Sequence, residues 1–148
     1  MVTEENLLAE LNKKLKFYIK TITSKIQVDK IILFGSFSNG NPHEYSDIDI
    51  AVISPELDID KSQFENIRIV KERTKLIEPG LQLLAYPTET FEKELGVERL
   101  FIREIKNTGT ILYDVSLQNN SDIAGYESNY INLLIWRGRR DSNSRPLA

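Results

Sequence analysis

Leu7, Leu8, Leu11, Leu15, Ile19 and Ile22 recur every three or four residues. That spacing draws one apolar stripe along a helix from about Glu4 to Ser24, with Thr3 as its N-cap. Lys30-Ile31-Ile32-Leu33-Phe34 is instead short, β-branched and continuously apolar, the pattern of a strand covered on both faces, and Gly35-Ser36 end it. From Phe37 to Ser46 the chain is rich in Asn, Gly, Pro and Ser, which predicts a turn-rich loop or a single helical turn. Asp47-Ile48-Asp49-Ile50 alternates polar and apolar before Ala51-Val52-Ile53 becomes wholly apolar. This is expected to be a strand with one end emerging at a wet surface and closed by Ser54-Pro55.

Phe64, Ile67, Ile69, Val70 and Leu76, set among charges, predict a helix from about Lys61 to Lys75, and Leu81 to Tyr86 reads as a third strand. Thr88 is the expected N-cap of a following helix with acid in its first turn. A further helix from about Val97 to Asn107 should end at Gly109, before a last short strand, Thr110 to Tyr113. This order predicts an α/β (α+β) fold with a small mixed sheet flanked by helices. After about Val115 the texture changes to a polar run, Gln118-Asn119-Asn120-Ser121-Asp122, and an arginine-rich end. The expected organisation is therefore one domain over residues 1–115 and a tail, 116–148, that is disordered or docks on a partner through Tyr130 to Trp136.

Composition narrows the field. With 148 residues and 41% hydrophobic side chains the chain can bury a core of its own, and with no cysteine it has no disulfides, thiolate zinc sites or cysteine nucleophile. The formal charge of −3 gives no general pull toward nucleic acid, so a nucleic-acid partner is not indicated. No apolar run approaches the ~20 residues of a membrane helix, and the acidic N-terminus is unlike a signal peptide, so a cytoplasmic protein with no membrane partner is expected. His43, in a Pro-containing polar loop, reads as a surface residue, and Lys71, Arg73 and Lys75 read as the wet face of their helix.

The candidate chemistry lies where the first two strands end and begin. Residues two apart on a strand share a face, so Asp47 and Asp49 project together, with Cα atoms ~6.5 Å apart, while Ile48 and Ile50 face the core. Two such carboxylates call for cations, and hard divalent ions such as Mg²⁺ are held by one or two carboxylates with water and phosphate completing the shell. Gly35 leaves room for a phosphate to approach the backbone, and the amides of Ser36 and Phe37, with the Ser36 hydroxyl, offer donors to it.

Gly35-Ser36, followed eleven positions after the glycine by Ser46-Asp47-Ile48-Asp49-Ile50-Ala51-Val52, resembles the signature of the DNA polymerase β-like nucleotidyltransferase superfamily, and of its minimal single-domain, antitoxin-type members in particular. The resemblance is strong over Lys30 to Val52 and looser to Tyr113. It implies that Gly35 and Ser36 hold a nucleotide triphosphate and that Asp47 and Asp49 bind two Mg²⁺ ions and are catalytic. It further implies transfer of a nucleoside monophosphate, AMP from ATP, to an acceptor hydroxyl on a partner protein, an RNA or a small molecule. A partner toxin protein or a second copy of the chain would complete so small a site.

The sequence departs from the family at one place. Catalysing members commonly bring a third carboxylate from a neighbouring strand, whereas periodicity puts Gln82 at that position, opposite in facing to Leu81, Leu83 and Ala85. Glu78, just before Pro79-Gly80, is the nearest acidic substitute and the third candidate catalytic residue. Either two carboxylates suffice, or Glu78 reaches in, or the protein is a nucleotide-binding or antitoxin-like module with little turnover that acts by complex formation.

Overall fold

The computed structural model describes residues 4–35 and 47–118. In chain order these form α1 (Glu4–Lys25), β1 (Lys30–Phe34), β2 (Ile48–Ser54), α2 (Gln63–Thr74), β3 (Leu81–Pro87), α3 (Thr88–Lys93), α4 (Arg99–Thr108), β4 (Thr110–Asp114) and α5 (Val115–Gln118). The four strands make one mixed sheet in the order β3-β2-β1-β4. β1 runs antiparallel to both β2 and β4, and β2 runs parallel to β3 across the α2 connection. The mixed sheet flanked by helices expected from the pattern is the one observed. Among the described residues no helix is long and apolar enough to cross a membrane.

Alternation along the strands divides the core in two. Ile31 and Leu33 of β1, Ile48, Ile50 and Val52 of β2, and Leu81, Leu83 and Ala85 of β3 meet Leu11, Leu15, Ile19 and Ile22 of α1 and Val70 of α2. The intervening residues, Ile32, Ala51, Ile53 and Tyr86, face the other way and pack on Phe91 of α3 and Ile102 and Ile105 of α4. From Leu11 to Ile22 the α1 stripe is thus buried as its spacing requires. β2 is buried along its whole length except at Asp49, which is half-buried.

Local signals fix the elements. α2 opens on a capping box: the Ser62 hydroxyl accepts from the Glu65 amide at 3.1 Å and the Glu65 carboxylate accepts from the Ser62 amide at 2.9 Å. It closes on Lys75 in the left-handed conformation, φ 62°, whose amide donates to the Lys71 carbonyl. β2 closes at Ser54, whose buried hydroxyl donates to the Gln27 carbonyl and accepts from the Glu56 amide. On the outer edge of β3 the Gln63 side chain accepts from the Ala85 amide at 2.7 Å.

One expectation needs correction. Thr88 does not cap α3 but begins it, after Pro87, because its hydroxyl is committed to Asp29 at 2.5 Å. As expected, α4 ends at Gly109, which has an ordinary φ of −78°. Glycine is needed there for space, since a Cβ would lie 2.6 Å from both the Ile105 carbonyl oxygen and the Ile32 side chain. Val115–Gln118, across the expected boundary at 115/116, forms one helical turn; residues 119–148, and with them the Tyr130 to Trp136 stretch, lie outside the described residues.

Candidate active site

The strand register places the candidate residues side by side. Phe34, the last residue of β1, pairs with Asp49 of β2, and Asp49 pairs with Gln82 of β3. All three therefore belong to the sheet face that α3 and α4 cover, at the end of the strands those helices leave open. Asp47 immediately precedes β2 and is exposed. The Gln82 amide lies 3.5 Å from its carboxylate, at the long end of hydrogen-bond range. Gln82 thus stands on the wet face, at the position deduced from alternation, and Leu81, Leu83 and Ala85 stand on the other.

Gly35 turns away from β1 with φ +80°, a conformation that favours glycine. A Cβ at this position would fall 2.2 Å from the Asp49 carboxylate oxygen. The absent side chain is therefore what gives the Asp49 carboxylate its place against the backbone. Burial, and then the charge of Asp47, raise the Asp49 carboxyl above its ordinary range. The charge of Asp47 opposes that of Asp49, and a cation held near both carboxylates would relieve this opposition. These residues fit Mg²⁺ bound by two carboxylates, with phosphate and water completing its shell. Among the described residues, no group of three or more His, Cys, Asp or Glu forms an all-protein metal cage.

Glu78 is not brought to this pair. Its carboxylate accepts a 2.9 Å hydrogen bond from Tyr18 of α1, on the opposite side of the sheet from Asp49. Burial and this partner push the Tyr18 hydroxyl up to about 12. Ser36, together with the loop that carries Gly40 and His43, lies outside the described residues.

Beside Asp49 and Gln82 a pocket of about 430 Å³ opens between the sheet and the start of α4, walled by Phe34, Leu83, Leu84 and Phe101 and reached by Glu98. Phe34 and Phe101 meet edge to face with ring centroids 5.9 Å apart. The Tyr86 hydroxyl donates to Glu98 at 2.7 Å. Burial, and then this carboxylate, keep Tyr86 protonated well beyond its usual range. Sequence reasoning missed Glu98 and the pocket role of Phe101. Phe101 read as one more apolar helix position, and its 42% exposure is the feature that separates it from the core.

The fold is thus a mixed sheet with helices on both faces, carrying an acidic pair where two adjacent strands end and begin. Residues 9–112 match the nucleotidyltransferase domain family, and the chain belongs to that family. It is 28% identical over 100 residues to a Methanocaldococcus jannaschii protein, provisionally named a protein adenylyltransferase. That match spans 68% of this chain and 93% of its relative. Among solved structures, one from Sulfolobus solfataricus, provisionally described as a nucleotidyltransferase, superposes with a TM-score of 0.56 at 14% identity, over 74% of this chain and 86% of that one, a likeness of fold. A toxin–antitoxin structure with AMP-PNP aligns over 85% of this chain and 91% of that one at 20% identity, but its TM-score of 0.47 is too low to bear on fold or function.

Proposed function

We propose that this nucleotidyltransferase moves AMP from ATP to a hydroxyl of a partner protein, using Asp47 and Asp49 to hold Mg²⁺ and Gly35 and Ser36 to seat the triphosphate. The observation that carries this reading is the Asp47–Asp49 pair beside a glycine whose missing side chain leaves the Asp49 carboxylate room. The donor and acceptor follow the name of the archaeal relative. Mg²⁺, when bound, neutralises the triphosphate and the charge that develops on the leaving pyrophosphate. The chain's own part is to hold the two carboxylates on one face, to keep side chains away from the phosphates at Gly35, and to exclude water with Phe34 and its neighbours.

Calorimetric titration with ATP, without and with Mg²⁺, tests the binding step, and transfer from α-labelled ATP tests turnover. Mg²⁺-dependent binding that is lost in Asp47→Asn/Asp49→Asn supports the proposal; binding indifferent to both overturns it. One observation favours a second reading, a nucleotide-binding module that acts through complex formation: the amide of Gln82 stands beside Asp47, where a carboxylate would complete the set. Tight Mg²⁺-dependent binding without transfer to any acceptor would establish that reading instead.

A further inference from the structure

Gln82 carries no proton-accepting group at neutral pH, and Glu78 is engaged by Tyr18 on the other side of the sheet. Glu98 is the carboxylate that shares a pocket with Asp49 and Gln82. It is the N-cap residue of α4, yet its side chain makes no capping hydrogen bond, so capping does not account for where that side chain lies. One of its oxygens is fixed by the Tyr86 hydroxyl at 2.7 Å, and among the described residues none donates to the other. The remaining walls, Phe34, Leu83, Leu84 and Phe101, are apolar, which strengthens any hydrogen bond made to that oxygen.

The geometry points to this pocket as the acceptor subsite, with Glu98 receiving the hydrogen bond of the attacking hydroxyl and then its proton. The inference rests on the nucleotidyl-transfer reading and deepens it. In the step, the acceptor oxygen forms a bond to the α-phosphorus and the bond from that phosphorus to the bridging oxygen breaks. Pyrophosphate leaves with that electron pair, and the hydroxyl proton passes to Glu98. Tyr86, which stays protonated, keeps one lobe of the carboxylate occupied and so directs the other at the acceptor.

The probe is p-cresol, whose ring suits the Phe34 and Phe101 walls, with toluene as its counterpart lacking only the hydroxyl. Both are titrated by NMR against the full chain, with Mg²⁺ and a non-hydrolysable ATP analogue present. A preference for p-cresol of about tenfold or more, abolished in Glu98→Leu, is expected. In Glu98→Gln, which keeps the side chain's shape, ATP affinity should be unchanged while pyrophosphate release with p-cresol and ATP falls about 10²-fold. Equal binding of the two probes, no binding of either, a preference that survives Glu98→Leu, or wild-type release not raised by p-cresol each overturns the assignment. Loss of Mg²⁺-dependent ATP binding by the wild-type chain would instead remove the nucleotidyl-transfer reading beneath it.

Discussion

The two faces of the sheet are built from the same strands and treated oppositely. On the α1/α2 face, Ile48, Ile50 and Val52 of β2 are buried against the helices. On the α3/α4 face, Ala51 and Ile53 are buried in the same way, but the row ends in Asp49, and the pocket with Gln82 and Glu98 opens there. One residue of offset along β2 thus separates a face that contributes stability from one that gives up part of it for a charged corner. The covered face can hold the strand rigid, and the open end can then present the Asp49 carboxylate, whose charge by itself disfavours folding.

Five measurements would break or sharpen that contrast. The largest effect belongs to the open corner: Asp47→Asn/Asp49→Asn should lower nucleotidyl transfer by about 10²-fold or more with the fold retained. Full activity in a double variant with a normal circular dichroism spectrum would detach the chemistry from this corner. On the α1/α2 face, Ile50→Ala should cost about 2–5 kcal/mol in urea unfolding, because it empties a fully buried site between α1 and the sheet. A cost below ~1 kcal/mol would mean the face is looser than its burial indicates.

Gly35→Val joins the two halves of the comparison. It forces a branched side chain to φ +80° and into the Asp49 carboxylate, for about 1–3 kcal/mol of strain, together with weakened ATP binding by calorimetry. Unchanged affinity would reduce Gly35 to a turn residue. Glu78→Gln should cost about 1 kcal/mol through its weakened bond to Tyr18 and leave Mg²⁺-dependent ATP binding intact. Loss of binding in this variant would instead return Glu78 to the candidate catalytic set.

The smallest effect is the pH dependence of Asp49 in Mg²⁺-free buffer. Its folded carboxyl lies above the unfolded value of 3.8, so the folded state holds the proton more tightly. Its charge therefore costs stability near neutrality, and that cost is relieved as the pH falls through the raised folded value toward 3.8. Asp49→Asn should melt slightly higher than wild type at pH 7, with the gap narrowing on acidification. A gap that does not change with pH would refute the strained-charge account.

Much of this was legible in the sequence, for reasons that differ by residue. Period-two alternation located Asp49 and Gln82 on one face and Leu81, Leu83 and Ala85 on the other, because a strand leaves side chains no third direction. The α1 stripe was equally readable. Glu98 was not, since it lies between two short helices and acquires its neighbours only when α4 folds back over β1, a contact with no local signal. Thr88 was misread because a tertiary partner, Asp29, outcompeted the capping role its type favours. Gly109 was read correctly as the helix stop, but the closeness of Ile32 that also requires glycine there left no local signal.

The hydrogen bond from the Ala85 amide to Gln63 bears on self-association. β3 is an edge strand, and a bare edge invites a neighbour's backbone to add to the sheet, the first step of fibre growth as well as of some orderly dimers. A side chain from α2 already occupies the outward amide at mid-strand, so a second molecule extending the sheet across that point would first have to evict it. With one glutamine, the helix that joins β2 to β3 also plugs the strand that would otherwise recruit strangers.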